Sequence, residues 1–222
     1  MIFAALETST EWCSVALWRD GEISAIERRA GHRHSELALP MLERLLAASR
    51  MTLQEIQAVA FGAGPGSFTG LRIACGLAQG LAFARSLPVL GISTLEALAE
   101  ASGAPRVAAC LDARMREVYY AALARRDGRW HEVIAAQCAP PQSAPRPPGE
   151  GWVGAGSGFA AYGDLRGNMG LRKILSDVHP SALAVARLAA PRLAAGEGVD
   201  AASAAPTYLR DKVALTVAER RR

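Results

Sequence analysis

Near the N-terminus, apolar residues fall in short runs before any helical period begins. Residues 2–6 form a compact apolar run, and 13–18 alternate weakly. Residues 22–28 return with Ile23, Ala25 and Ile26 on one side. Arg19-Asp20-Gly21, between the last two runs, is a hairpin turn sequence. Three strands before any helix predict a β-meander. Over 35–49 the period changes: Leu37, Met41, Leu45 and Ala48 make one helical stripe. Pro40 is placed near the first turn of that helix, where a missing N–H is tolerated. Thr52 and Glu55 have capping-box spacing for a short helix. Residues 58–61 predict a fourth strand, which runs into a glycine-rich stretch, 62–70. A long helix over 71–85, stopped by Pro88, a strand at 89–92 and a helix at 93–101 follow. Gly103-Ala104-Pro105 marks a lobe boundary.

The second half is less regular. Residues 107–111, 118–123 and 130–134 predict strands, with Asp127-Gly128 as a turn. Residues 140–148, with five prolines, predict an exposed connection of polyproline character. A short strand at 152–153 leads into a second glycine run, 154–158. Residues 181–193 predict a helix with Pro180 at its start and Pro191 near its end. No internal repeat is visible in the residues themselves. The order strand, strand, strand, helix, strand, helix, strand, helix resembles one lobe of the actin/Hsp70/sugar-kinase superfamily. It predicts an α/β fold of two lobes, each a mixed five-stranded sheet with flanking helices. The first lobe is assigned to 1–103 and a smaller, more irregular second lobe to 104–205. Helix 181–193 is a candidate to pack back on the first lobe, and 206–222 reads as a C-terminal tail.

Half of the 222 residues are hydrophobic and 21% charged, which excludes a disordered chain. Aromatics are only 6%, so the core must be mostly Ala, Leu, Val and Ile. No apolar run is long enough to cross a membrane. The first residues lack a basic stretch and soon meet Glu7, so no secretory signal is expected and a cytoplasmic protein is. Net charge is +4, and the basic residues are nearly all Arg, Lys173 and Lys212 being the only lysines. With the abundant Ala, this matches a bias toward GC-rich codons, so Arg frequency alone is no sign of nucleic acid. The Arg220-Arg221-Arg222 run reads as a frayed tail. Cys13, Cys75, Cys110 and Cys138 are scattered, without metal spacing, and read as reduced thiols.

In the superfamily, the turn after the first strand carries an acid that organises a metal and a glycine that admits phosphate. Here it holds Glu7-Thr8-Ser9-Thr10, a longer acid and no glycine. Thr8 and Ser9 either donate to an oxyanion or satisfy the turn's own backbone. Gly64, Gly66 and Ser67 stand between a strand and a helix N-terminus, which suits an anion or a sharp turn. No Lys follows, so this is not a Walker A loop. Gly154 and Gly156 offer the same choice on the adenosine side. No zinc-protease pair accompanies His32 and His34, and the residue four after His34 is Ala38. No nucleophile elbow is present. No catalytic residue and no metal ligand is therefore assigned. Gly70, Ala74, Ala78 and Ala82, and also Gly76 and Gly80, recur every four residues on the long helix. Such small faces admit another helix, either this chain's own packing or a partner.

The chain resembles the TsaB (YeaZ) family in specific runs. These are Leu6-Glu7-Thr8-Ser9, His34-Ser35-Glu36 with Pro40, and Gly64-Pro65-Gly66-Ser67-Phe68-Thr69-Gly70-Leu71-Arg72-Ile73. Others are Ser93-Thr94-Leu95-Glu96-Ala97, Leu111-Asp112-Ala113-Arg114-Met115 with Glu117-Val118-Tyr119, and Tyr208-Leu209-Arg210. The resemblance implies a degenerate, non-catalytic relative of the synthase TsaD. That assembly forms N6-threonylcarbamoyladenosine at position 37 of tRNAs that read codons starting with A. It implies TsaD and the ATPase TsaE as partners, self-association as a homodimer, tRNA held mainly through the complex, and no membrane. No cofactor is required by the chain; weak ATP or ADP binding is compatible. The implied interface maps to Leu37, Met41, Leu45, Arg72, Cys75, Gly76, Gln79, Gly80 and Phe83, with Arg72 alternatively an anion ligand at the helix start. Two other readings stand beside it: an ATP-hydrolysing enzyme of the superfamily, and a glycoprotease-like peptidase.

Overall fold

A computed structural model describes residues 1–210, apart from the side chains of Arg166 and Asn168. The Arg220-Arg221-Arg222 run lies outside the described residues. The first sheet has the order β3(Glu22–Arg29), β2(Trp12–Arg19), β1(Ile2–Glu7), β4(Ala58–Gly64), β5(Val89–Ser93). The first three strands pair antiparallel, and β4 and β5 run parallel to β1. Asp20 and Gly21 make the β2–β3 turn with φ of 48° and 103°, a conformation the Asp-Gly pair favours.

Alternate residues of β1 serve two cores. Ala4 and Leu6 face α1(His34–Ala48) and α2(Phe68–Phe83). Phe3 and Ala5 face α6(Ala182–Ala194) on the other side. That second contact is Ala against Ala, with Ala182, Ala186 and Ala189 over Ala5, Ala16 and Ala60. Small side chains on both surfaces let helix and sheet approach closely. The Ser14 hydroxyl pins the start of α6 by accepting the Ala182 amide at 3.0 Å.

The second sheet has the order β10(Lys173–Leu175), β9(Val153–Ala155), β6(Arg106–Arg114), β7(Glu117–Arg126), β8(Arg129–Ala139). It repeats the first: an antiparallel meander, then two strands parallel to its first member. The repeat invisible in the residues is thus present in topology. α3(Thr94–Ser102) covers one face through Leu95, Leu98 and Ala99. The short helices α4(Gly158–Ala161) and α5(Leu165–Asn168) cover the other, with Phe159, Leu165 and Met169 buried. Between the lobes, Glu100 on α3 accepts the Trp130 indole N–H at 2.9 Å and pairs with Arg125 at 3.2 Å. Among the described residues no helix is long and apolar enough to cross a membrane.

Several boundaries differ from the sequence reading. α2 begins at Phe68, since Ser67 caps it by accepting the Gly70 amide, weakly, at 3.4 Å. Pro40 lies inside α1, past the first turn, on the exposed side. β8 continues to Ala139, carried by pairing to β7 through two register shifts. The three-residue β10 was not predicted; its register is set by β9 alone.

Candidate functional site

The turn after β1 is closed. Glu7 is 1% exposed, and one carboxylate oxygen accepts the Ser9 amide at 2.6 Å. Its other oxygen faces Gly62, where an added Cβ would fall 2.0 Å away, and has no hydrogen-bond partner among the described residues. Burial pushes the Glu7 carboxyl above its ordinary value, against the opposing pull of Ser9. A raised carboxyl holds more protons folded than unfolded, so its contribution is greatest below about pH 4.5 and is lost as pH rises toward the raised value. Glu7→Gln removes that loss. In thermal melts, the Tm of the variant relative to the parent should rise with pH from 4.5 upward; a constant difference would exclude Glu7 as the titrating group.

The glycine stretch packs directly on this turn. The Thr8 hydroxyl donates to the Gly70 carbonyl at 2.7 Å, and the Ser67 amide donates to the Ser9 carbonyl at 2.7 Å. A Cβ at Gly66 would lie 2.6 Å from the Ser9 carbonyl oxygen, and one at Gly70 2.0 Å from that of Thr8. At Gly64, whose φ is +121°, it would meet the Thr207 carbonyl oxygen at 2.4 Å. On the second lobe, a Cβ at Gly156, with φ +107°, would lie 2.4 Å from the Cys110 carbonyl oxygen, and one at Gly154 would lie 2.8 Å from the Leu171 side chain. All four glycines nominated for an anion have the place of their missing Cβ filled by this chain. Thr8 and Ser9 are buried, and Ser67 is the exposed member. His34 is also buried, its Nε2 2.9 Å from the Thr10 carbonyl. Burial pushes the Cys13 and Cys110 thiols up to about 11 and about 12, which keeps both protonated at neutral pH.

The nominated interface separates into three groups. Met41 and Leu45 are core residues, 6% and 5% exposed, because their stripe faces the first sheet; Leu37 is half-buried at its margin. This corrects Met41 and Leu45 as contact residues. Arg72, Cys75 and Gln79 are engaged by the chain's own C-terminal segment. The Cys75 thiol and the Gln79 amide both donate to the Ala204 carbonyl, at 3.5 and 3.0 Å. The Arg72 Nε donates to the Tyr208 hydroxyl at 3.1 Å, and its guanidinium lies 3.7 Å from the Phe68 ring centroid. Gly76, Gly80 and Phe83 are open. A Cβ at either glycine meets nothing within 4 Å, and Phe83 is 72% exposed. With the half-buried Ile73 and Leu77 they form one apolar strip along α2.

The sequence reading missed the strap. Residues 206–210, assigned to a tail, run from the first lobe to the second. The Thr207 amide donates to the Ala63 carbonyl at 2.7 Å, and Tyr208 packs on Phe68 with ring centroids 5.6 Å apart. Arg210 then forms an ion pair with Glu117 and donates to the Arg114 carbonyl at 3.3 Å. That carbonyl belongs to a turn in which Arg114, Met115 and Arg116 all have φ between 53° and 61°, a costly run for non-glycine residues. Arg210→Ala should lower stability by about 1–3 kcal/mol, since it leaves Glu117 without its cation. Urea melts check this; an unchanged midpoint would mean the strap's end contributes nothing. The sequence signal was Tyr208-Leu209-Arg210 itself, an aromatic and a cation within an otherwise small-residue stretch.

Two lobes of one repeated sheet order, with a glycine loop folded onto the first turn, define the class: an actin-like, TsaD-like fold. A family model described as TsaD, tRNA N6-adenosine threonylcarbamoyltransferase, matches residues 26–150. The tRNA threonylcarbamoyladenosine biosynthesis protein TsaB of Escherichia coli is 41% identical over 96% of this chain and 96% of its own. Its namesake in Haemophilus influenzae is 40% identical over 94% of this chain and 93% of its own. YeaZ from Pseudomonas aeruginosa superposes with a TM-score of 0.89 at 39% identity, covering 94% of this chain and 99% of that structure. The chain belongs to the TsaB family of tRNA threonylcarbamoyladenosine biosynthesis proteins.

Proposed function

We propose that this chain is a non-catalytic accessory subunit of the assembly that forms N6-threonylcarbamoyladenosine in tRNA. It scaffolds and activates the TsaD synthase, with the TsaE ATPase as a further component, in the cytoplasm. The observation that carries the reading is the open strip of α2, where Gly76 and Gly80 leave room for a helix backbone beside an exposed Phe83. An aromatic anchor next to small residues is the composition of a packed helix–helix contact. The same strip serves a second copy of the chain when the synthase is absent, as a homodimer.

The closed turn supports the absence of catalysis. The Ser67 amide is spent on Ser9 and the Thr8 hydroxyl on Gly70, so two donors that would hold phosphate are already satisfied. The chain needs no cofactor in this reading, and weak ATP or ADP binding is compatible with it. tRNA is held mainly in the complex.

The test is an omit-one reconstitution. Synthase, TsaE and the adenylate-forming enzyme are mixed with threonine, bicarbonate, ATP and unmodified tRNA, with and without this chain. Modified adenosine is read by mass spectrometry after nuclease digestion. Product that needs both this chain and the synthase, and never forms without the synthase, is expected. Product formed equally well without this chain would remove the accessory role, and an ATP-hydrolysing enzyme would then be the reading to pursue.

A further inference from the structure

Charge is unevenly divided along the chain. Residues 1–103 carry 8 Arg and 10 Asp or Glu, whereas 104–210 carry 13 Arg or Lys and 9 Asp or Glu. A codon bias raises Arg everywhere and does not explain where the excess gathers. The strand pairing does place it. β6, β9 and β10 run parallel and start at Arg106, Val153 and Lys173, β7 ends at Arg126, and β8 starts at Arg129. All five strands therefore bring these termini to one end of the second sheet, where the parallel strands start. Arg172 precedes Lys173, and the Arg146 guanidinium lies over Gly170, 2.5 Å from where its Cβ would be.

The result is a row of six cations across five strand ends, about 19 Å wide at the usual strand spacing. Arg126, Arg129, Arg146, Arg172 and Lys173 are exposed, and no ion pair among the described residues involves any of them. Arg106 anchors the centre, its guanidinium 5.0 Å from the Trp152 ring centroid and donating to the Glu150 carbonyl. Asp127 and Glu150 are exposed acids at the strand ends, Glu132 is exposed three residues further along β8, and the buried Glu100 is paired there with Arg125. None of the exposed large apolar side chains lies there. A protein partner would want an apolar centre and a membrane surface an apolar anchor. Unpaired cations in a row, without either, suit the phosphate backbone of a nucleic acid.

We propose that this rim, formed by Arg106, Arg126, Arg129, Arg146, Arg172 and Lys173, binds the phosphate backbone of RNA. The inference rests on the reading of the chain as a tRNA-modification subunit and adds a contact of its own to it. The rim reads charge and not sequence, so it positions a tRNA whose target adenosine is chosen elsewhere.

The test is fluorescence anisotropy of a labelled, unmodified tRNA transcript against the full-length chain, alone and mixed with the synthase, from 50 to 200 mM salt. The variants are R126Q/R129Q/R172Q/K173Q and the charge-keeping R126K/R129K/R172K. Each lost phosphate contact should reduce the slope of log affinity on log salt by about 0.7–0.9, so the glutamine variant should lose about 3 units of slope. Its affinity at 100 mM salt should fall at least about tenfold, while the lysine variant stays within about twofold. A glutamine variant with the parent's affinity and slope, at an unchanged Tm, would overturn the proposal. So would a parent chain that binds vesicles of anionic lipid but no tRNA in either arm. Failure here is distinguishable from failure of the accessory role. Unchanged RNA binding by the glutamine variant, with product still requiring the chain, would sink the rim alone. Lost RNA binding, with product forming without the chain, would sustain the rim and sink the accessory role.

Discussion

Replacing Gly76 and Gly80 together by leucine is expected to weaken the complex with the synthase about a hundredfold, or about 2.7 kcal/mol, without harming the fold. Both positions are exposed, and a side chain at either meets nothing of this chain within 4 Å. Within α2, leucine is the better helix former, worth up to about 1 kcal/mol per site. The variant should thus melt slightly higher than the parent while binding far worse. That opposition of signs separates a contact surface from a packing defect. Calorimetric titration against the synthase, beside thermal melts, reads both. An unchanged Kd with an intact fold would remove the α2 strip from the interface. Phe83→Ala, at 72% exposure, should act in the same direction, since a lone exposed aromatic contributes little until a partner covers it.

The opposite result is expected where glycine meets backbone. Gly70→Ala puts a Cβ 2.0 Å from the Thr8 carbonyl oxygen, and Gly156→Ala puts one 2.4 Å from that of Cys110, at a φ of +107°. Neither neighbour is the flexible end of a side chain, so strands must shift. Each variant should lose about 3 kcal/mol, roughly 6–12 °C in Tm for a chain of this length. Gly163→Ala is the control: nothing lies within 4 Å, and it should melt within about a degree of the parent. Equal melting of all three would mean that the close approaches at Thr8 and Cys110 relax at no cost. If Gly70→Ala folded and still supported product, the zipped turn would be dispensable to the accessory role.

The two sets of glycines look alike in sequence, since both recur among small residues near one helix. Their difference lies in what stands opposite them. Gly66 and Gly70 face the β1 turn, sixty residues earlier in the chain, and Gly76 and Gly80 face solvent. No local spacing encodes a contact of that separation.

The local pattern carried a large part of the architecture. The alternation in β2, the Asp-Gly turns, the capping pair Thr52–Glu55 and the stripe of α1 all depend on near neighbours, and each element formed where those neighbours predicted. The missing histidine pair and altered first acid were equally legible, because chemistry of that kind needs particular residue types. What the tertiary structure decided is everything that depends on a distant partner. It buried Met41 and Leu45 and left the α2 strip open. It laid 206–210, which the sequence reads as part of a tail, across both lobes. It gathered cations 67 residues apart, Arg106 and Lys173, at one end of a sheet. Periodicity reports which side of an element is apolar, from spacing within one turn or one pleat. Which surface that side meets is set by sheet order and register, and these are determined by packing across the whole chain.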